Sequence, residues 1–137
     1  PQPSWKKNLM NSAPTFYPAP GGMPFSSAVR AAGLVMLSGQ IPFDDAGRPL
    51  TGPIEAQTHA VFKSIAARLE AVGRSLDDVV KVNIWLADLN DFAAFNKVYA
   101  GYFKEGRYPV RSLVQAQLVF GVGVEIEVQA VDAPAAA

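Results

Sequence analysis

Cysteine is absent from this chain, which excludes disulfides, thiol nucleophiles and thiolate metal sites together. Histidine occurs once, at His59, too few for a histidine metal cluster and leaving no second histidine in reserve for a Ser-His-Asp triad. Neither sign of charge is in excess. Twelve Lys and Arg balance twelve Asp and Glu, so no net field draws the protein to nucleic acid or an anionic membrane, and no local basic patch takes its place. Long apolar runs are missing too: stretches such as Ala31 to Leu37 are far too short to cross a bilayer. Near the N-terminus, Lys6-Lys7 leads into Asn8, Asn11, Ser12 and prolines rather than the apolar core of a signal peptide. These absences predict a soluble cytoplasmic protein with neither nucleic acid nor membrane as partner.

What the chain does have is apolar content. Half of its 137 residues are hydrophobic, which suits one domain with a real core. Six prolines crowd into residues 1–24 beside Gly21-Gly22, so residues 1–23 read as a proline-rich arm without regular helix or sheet. The domain is expected over residues 24–132, with an alanine-proline tail at 133–137 expected to be disordered. Ala28 to Leu37 predicts a hairpin turning at Ala32-Gly33. Thr58, Val61, Ile65, Leu69 and Val72 are spaced three, four, four and three apart, the period of a helix, with Gly73 placed to end it. Val79 to Leu86 alternates as a strand, and Asp88-Leu89-Asn90-Asp91 supplies an N-cap. Phe92, Phe95, Tyr99, Tyr102 and Phe103 then stripe a helix reaching toward Gly106. Two more strands follow, Arg111 to Leu118 and Gly123 to Val131. The order β-β-α-β-α-β-β predicts an α+β fold, a single sheet with two helices on one face.

Two helices cover one face only, and the alternation puts Trp85, with Val79 and Ala87, on the other. An apolar patch of that kind is unfavourable in water by roughly 25 cal/mol per Å², which points to an oligomer contact more than to cover by the arm. Chemistry-bearing residues stand out against the apolar strands. Arg111 follows Pro109-Val110, and its planar guanidinium suits bidentate grip of a carboxylate, or equally an edge-strand ion pair with Glu125 or Glu127. Glu125 and Glu127 alternate with Val124, Ile126 and Val128, so both carboxylates leave the face away from the helices, either as acid/base groups or as a solvated edge. Ser38-Gly39 offers a hydroxyl and an unobstructed N–H at a strand end. His59, Tyr99 and Tyr102 read as packing residues.

Taken in order, Ser38-Gly39-Gln40-Ile41-Pro42, Ser75 to Lys81, Asp88 to Phe92, Asn96-Lys97-Val98-Tyr99, Pro109-Val110-Arg111-Ser112 and Val124-Glu125-Ile126-Glu127 closely resemble the RidA/YjgF family. The resemblance runs from about Pro24 to Val131. It implies a chorismate-mutase-like fold assembled as a homotrimer with clefts between adjacent subunits. It also implies hydrolysis of reactive enamines and imines (2-aminoacrylate-type acids) to 2-keto acids and ammonia, without metal or cofactor. Carried over, Arg111 would bind the substrate carboxylate and Glu125 would position or activate water. Ser38, Gly39 and Leu113 would complete the cleft, with Phe92 and Asn96 in support. The family's glycine-proline-tyrosine appears here as Met23-Pro24-Phe25, so Phe25 brings no phenol hydroxyl. Ahead of Glu125 the usual leucine-proline-lysine is replaced by the uncharged Leu118 to Gly123, which suits a more apolar substrate or partner. Two alternatives stay open: a non-catalytic trimer that binds a small carboxylate, and a specialised catabolic deaminase for a larger enamine acid.

Overall fold

The computed structural model describes residues 1–4, 6 and 13–132; the 133–137 tail and Trp5 of the arm lie outside the described residues. Among the described residues the main elements are β1 (Thr15–Pro18), β2 (Ser26–Ala31), β3 (Leu34–Leu37), α1 (Ile54–Ala71), β4 (Val79–Leu86), α2 (Phe92–Ala100), β5 (Val110–Gln115) and β6 (Val124–Val131). The strands form one mixed sheet in the order β1-β2-β3-β6-β4-β5. Among the described residues β4 and β5 alone pair in parallel, joined by a crossover through α2, and the other strand pairings are antiparallel. Among the described residues no helix is long and apolar enough to cross a membrane.

Helix α1 forms where the periodicity predicts it, because Ile54, Thr58, Val61, Phe62, Ile65 and Leu69 recur on one face and are all buried. Pro53 precedes it, with its fixed φ matching the helical entry. At the other end the Gly73 N–H bonds to the Glu70 carbonyl and the Arg74 N–H to the Leu69 carbonyl, the paired closure for which Gly73 adopts φ +77°. Under this helix, Val124, Ile126, Val128 and Ala130 of β6 alternate with half-buried neighbours, so β6 is the central strand of the core. Helix α2 is shorter than its aromatic stripe predicts. It stops at Ala100, yet Tyr102 continues the stripe from a turn, with its ring stacked on Phe62 at 4.2 Å and 11°.

Three details depart from the sequence pattern. The proline-rich arm does contain a strand: β1 pairs with β2 at the sheet edge, where Pro18 sits at a register shift and its missing N–H costs no inner ladder bond. Arg30 of β2 donates to the Tyr17 hydroxyl at 2.7 Å, fixing that edge. In β4, Val79 faces the core and Val80 is exposed, the reverse of the expected alternation. An extra residue between Val79 and Lys81, opposite the single step from Ala130 to Gln129, bulges the strand and restores the predicted phase only from Lys81 onward. Finally β5 and β6, consecutive in sequence, are not neighbours; β4 runs between them.

Candidate active site

The two groups best suited to chemistry leave opposite faces of the sheet. In-register neighbours project to the same side, so Arg111, paired with Val82, shares the helix face on which Val82 is fully buried. Glu125 pairs with Trp85 and shares the open face with Val114, Asn83 and Glu127. Within one chain, therefore, the ion pair expected as one reading of Arg111 is absent, and the two residues form separate clusters.

Around Arg111 the setting is aromatic. Its Cζ lies 4.9 Å from the Tyr99 ring centroid and 5.9 Å from that of Phe92. Phe92 opens α2, Asn96 follows one turn later half-buried, and Tyr99 lies on the same side of the helix, so one stripe backs the guanidinium. Leu113, two residues on, packs against the core and anchors the strand from which Arg111 projects. The sequence pattern marks Tyr99 only as core. Its ring is buried, burial lifts its phenol above the ordinary range, and Arg111 offsets part of that rise. Among the described residues Arg111 has no carboxylate partner, so its donor fork remains open to a ligand.

Glu125 sits in a different setting. Beyond Leu37 the chain bulges at Ser38-Gly39 and rejoins β6 at Gln40, whose N–H and carbonyl both bond to Ile126 at 2.8 and 3.0 Å. This detour lays Gly39 directly against the Glu125 carboxylate. A Cβ at position 39 would collide with Glu125 Oε2 and come within 3.0 Å of its Cδ. Glycine thus permits this close approach, and a side chain here would push the Glu125 carboxylate aside. Burial, with the Glu127 carboxylate two residues away as a second cause, holds Glu125 above the usual glutamate range. Glu127 itself accepts a long hydrogen bond from Asn83 at 3.4 Å.

Glu125 and Gly39 line a cavity of about 500 Å³. Phe25 is on its wall, as are Met23, Phe43, Val119 and Phe120, which the sequence pattern did not single out as a group. Arg68 of α1 also borders it, with no ion pair among the described residues. Ser38 is the one expected residue whose side chain is spoken for: its hydroxyl donates to the Ser26 carbonyl at 2.6 Å and braces the bulge. His59 contributes to neither cluster and pairs instead with the Tyr102 hydroxyl.

One chain thus holds a guanidinium cluster and a carboxylate cluster, and comparison with known proteins gives both a context. The endoribonuclease L-PSP family model matches residues 18–132. A RutC family protein of Pyrococcus horikoshii is 46% identical over 112 residues, covering 80% of this chain and 87% of that one. The mitochondrial protein MMF1 of Saccharomyces cerevisiae is 40% identical over 114 residues, covering 82% of this chain and 78% of that one. The crystal structure of RidA from an Antarctic Psychrobacter superposes with a TM-score of 0.74 at 42% identity, covering 84% of this chain and 93% of that one. With matches of this extent, spanning both clusters, the chain belongs to the RidA/YjgF family, the family of the endoribonuclease L-PSP model.

Proposed function

We propose that the protein hydrolyses reactive 2-imino acids and their enamine tautomers to 2-keto acids and ammonia, in clefts between subunits of a homotrimer. The observation that carries this reading is the division of labour across the sheet. The Arg111 cluster can hold a carboxylate but has no carboxylate base of its own, and Glu125 has no ion-pair partner among the described residues, the cation that borders its cavity being Arg68 of α1. On this reading Arg111 of one copy and Glu125 of the next complete one site. Strand β5 is the sheet edge opposite β1, with Val110 69% exposed, so a neighbouring copy can pack there and bring its own cavity against Arg111. Trp85 and Val114 on the open face suit the same contact.

The chemistry needs little more. Arg111 takes the substrate carboxylate bidentately, which places the adjacent imine carbon beside Glu125 of the neighbouring copy. Water adds to that carbon while the Glu125 carboxylate accepts the water proton, giving a carbinolamine. The same carboxyl returns that proton to nitrogen, the C–N bond breaks while the Glu125 carboxylate takes the hydroxyl proton as the carbonyl forms, and ammonia leaves carrying that proton as ammonium. A protonated imine is already electrophilic, so orientation and proton transfer suffice without a covalent nucleophile. The ribonuclease label of the family model finds no counterpart in a chain of zero net charge without a basic, aromatic stripe.

The test couples an amino-acid oxidase to the purified protein and follows keto-acid release. Acceleration over the uncatalysed rate is the expected result. If no imine, from small to aromatic, is released faster, the deaminase reading fails and the carboxylate-binding trimer takes its place.

A further inference from the structure

The wall of the Glu125 cavity carries a feature that imine hydrolysis by itself does not need. Phe120 adopts φ +57° and ψ 18°, the left-handed region that a bulky residue enters only under strain. Gly121 stands next to it at φ +68°, so the loop already has a residue suited to that geometry. The strain is not offset by burial, because Phe120 is 72% exposed. Nor is the loop slack at its base. Val122 is buried, the Gly123 N–H donates to Gln57 of α1 at 2.7 Å, and the Gly123 carbonyl accepts from the Ala87 N–H at 3.0 Å. Gln57 in turn donates to the Gly52 carbonyl at 2.8 Å, which makes it a buried clamp. A rigid root thus presents an exposed aromatic ring to the cavity.

The rest of the cavity agrees with that aim. Phe25 is 51% exposed and, lacking a phenol hydroxyl, offers only an apolar ring; Met23, Phe43 and Val119 are exposed apolar side chains on the same wall. A cavity of about 500 Å³ falls within the roughly 300–1,000 Å³ range of sites for drug-sized ligands, well beyond a three-carbon imino acid.

We propose that the substrates are 2-imino acids with a large apolar, above all aromatic, side chain, and that Phe120, with Phe25, sets this selectivity by receiving that side chain. The proposal rests on the imine-hydrolysis reading. The headgroup sits between Arg111 of one copy and Glu125 of the next, and the side chain lies along the apolar wall. The strain at Phe120 is then offset in the complex by ring contact with the substrate.

The experiment compares imines generated from phenylalanine, leucine, alanine and glutamate, with wild type and Phe120→Gly. Glycine is at home at φ +57°, so the variant is expected to melt at the same temperature or higher. Sedimentation velocity run alongside reads the assembly. The expected result is a kcat/KM at least tenfold higher for the phenylalanine-derived than the alanine-derived imine in wild type. That ratio falls about tenfold in Phe120→Gly, mainly through KM, with the assembly intact. Equal rates for all imines, or preference for the alanine- or glutamate-derived one, overturn the proposal while leaving imine hydrolysis standing; a glutamate preference assigns selectivity to Arg68 instead. An unchanged ratio, or dissociation of the variant, overturns it by making Phe120 a structural or interface residue. If wild type accelerates none of the imines, the hydrolysis reading itself has failed and this proposal with it.

Discussion

Arg111→Ala is expected to lower kcat/KM for every 2-imino acid tested by about 30- to 5,000-fold, since truncating one partner of a desolvated, hydrogen-bonded charge pair costs about 2–5 kcal/mol. The loss should fall largely on KM, because the carboxylate contact is made in the ground state as well as the transition state. Two companion measurements separate this from unfolding. Arg111 is exposed in the isolated chain and makes no ion pair among the described residues, so the melting temperature should move little. Arg111→Lys should recover only part of the activity, since a point charge replaces a planar two-donor fork. Wild-type kinetics in Arg111→Ala would remove the carboxylate grip from the account.

Glu125→Gln is expected to lower kcat by about 10²–10⁴-fold with a smaller change in KM, the range for losing a general base. The amide keeps the size and shape of the carboxylate that packs against Gly39, so displacement of the side chain is not the cause. The pH profile supplies an independent check. Burial and Glu127 both raise the Glu125 pKa, so the active carboxylate form is reached at higher pH than for an ordinary glutamate. Activity should therefore rise with pH through an inflection above the ordinary glutamate range. Glu127→Gln removes the like charge, favours ionised Glu125, and should move that inflection to lower pH. Movement to higher pH would contradict the assignment of Glu125 as the group that titrates.

Sequence patterning carried the helices and the core well because each buried face is a local periodicity: Val61, Ile65 and Leu69 report one helix face, and Val124, Ile126 and Val128 one strand face. It failed where structure depends on partners distant in the chain. The strand β1 lies among prolines that local propensity reads as breakers, and only pairing with Ser26–Ala31 shows that an edge strand tolerates them. The Val80 bulge inverts the phase of Val79 without any composition cue. The strand order that puts β4 between β5 and β6 has no local signature either. The same limit applies to the site. Arg111 and Glu125 were visible as charged residues on apolar strands, and Phe25 as a departure from the family pattern. Their placement on opposite faces needed the register Val82–Arg111 and Trp85–Glu125. Phe120 and Phe43 meet Glu125 only through the folded loops, and the one clue in the chain was the uncharged run from Leu118 to Gly123.

A cleft shared between subunits can be tested by complementation. At substrate well below the variants' KM, Arg111→Ala and Glu125→Gln are each expected to show little activity as pure assemblies, but subunits of both kinds, unfolded together and reassembled as one mixture, can pair an intact Arg111 with an intact Glu125. In random C3 trimers about a quarter of the clefts would do so. The account predicts imine hydrolysis returning to about a quarter of the wild-type rate per cleft, with the same KM. No recovery, with mixed trimers confirmed by mass, would place both residues' functions within one chain and contradict the shared cleft.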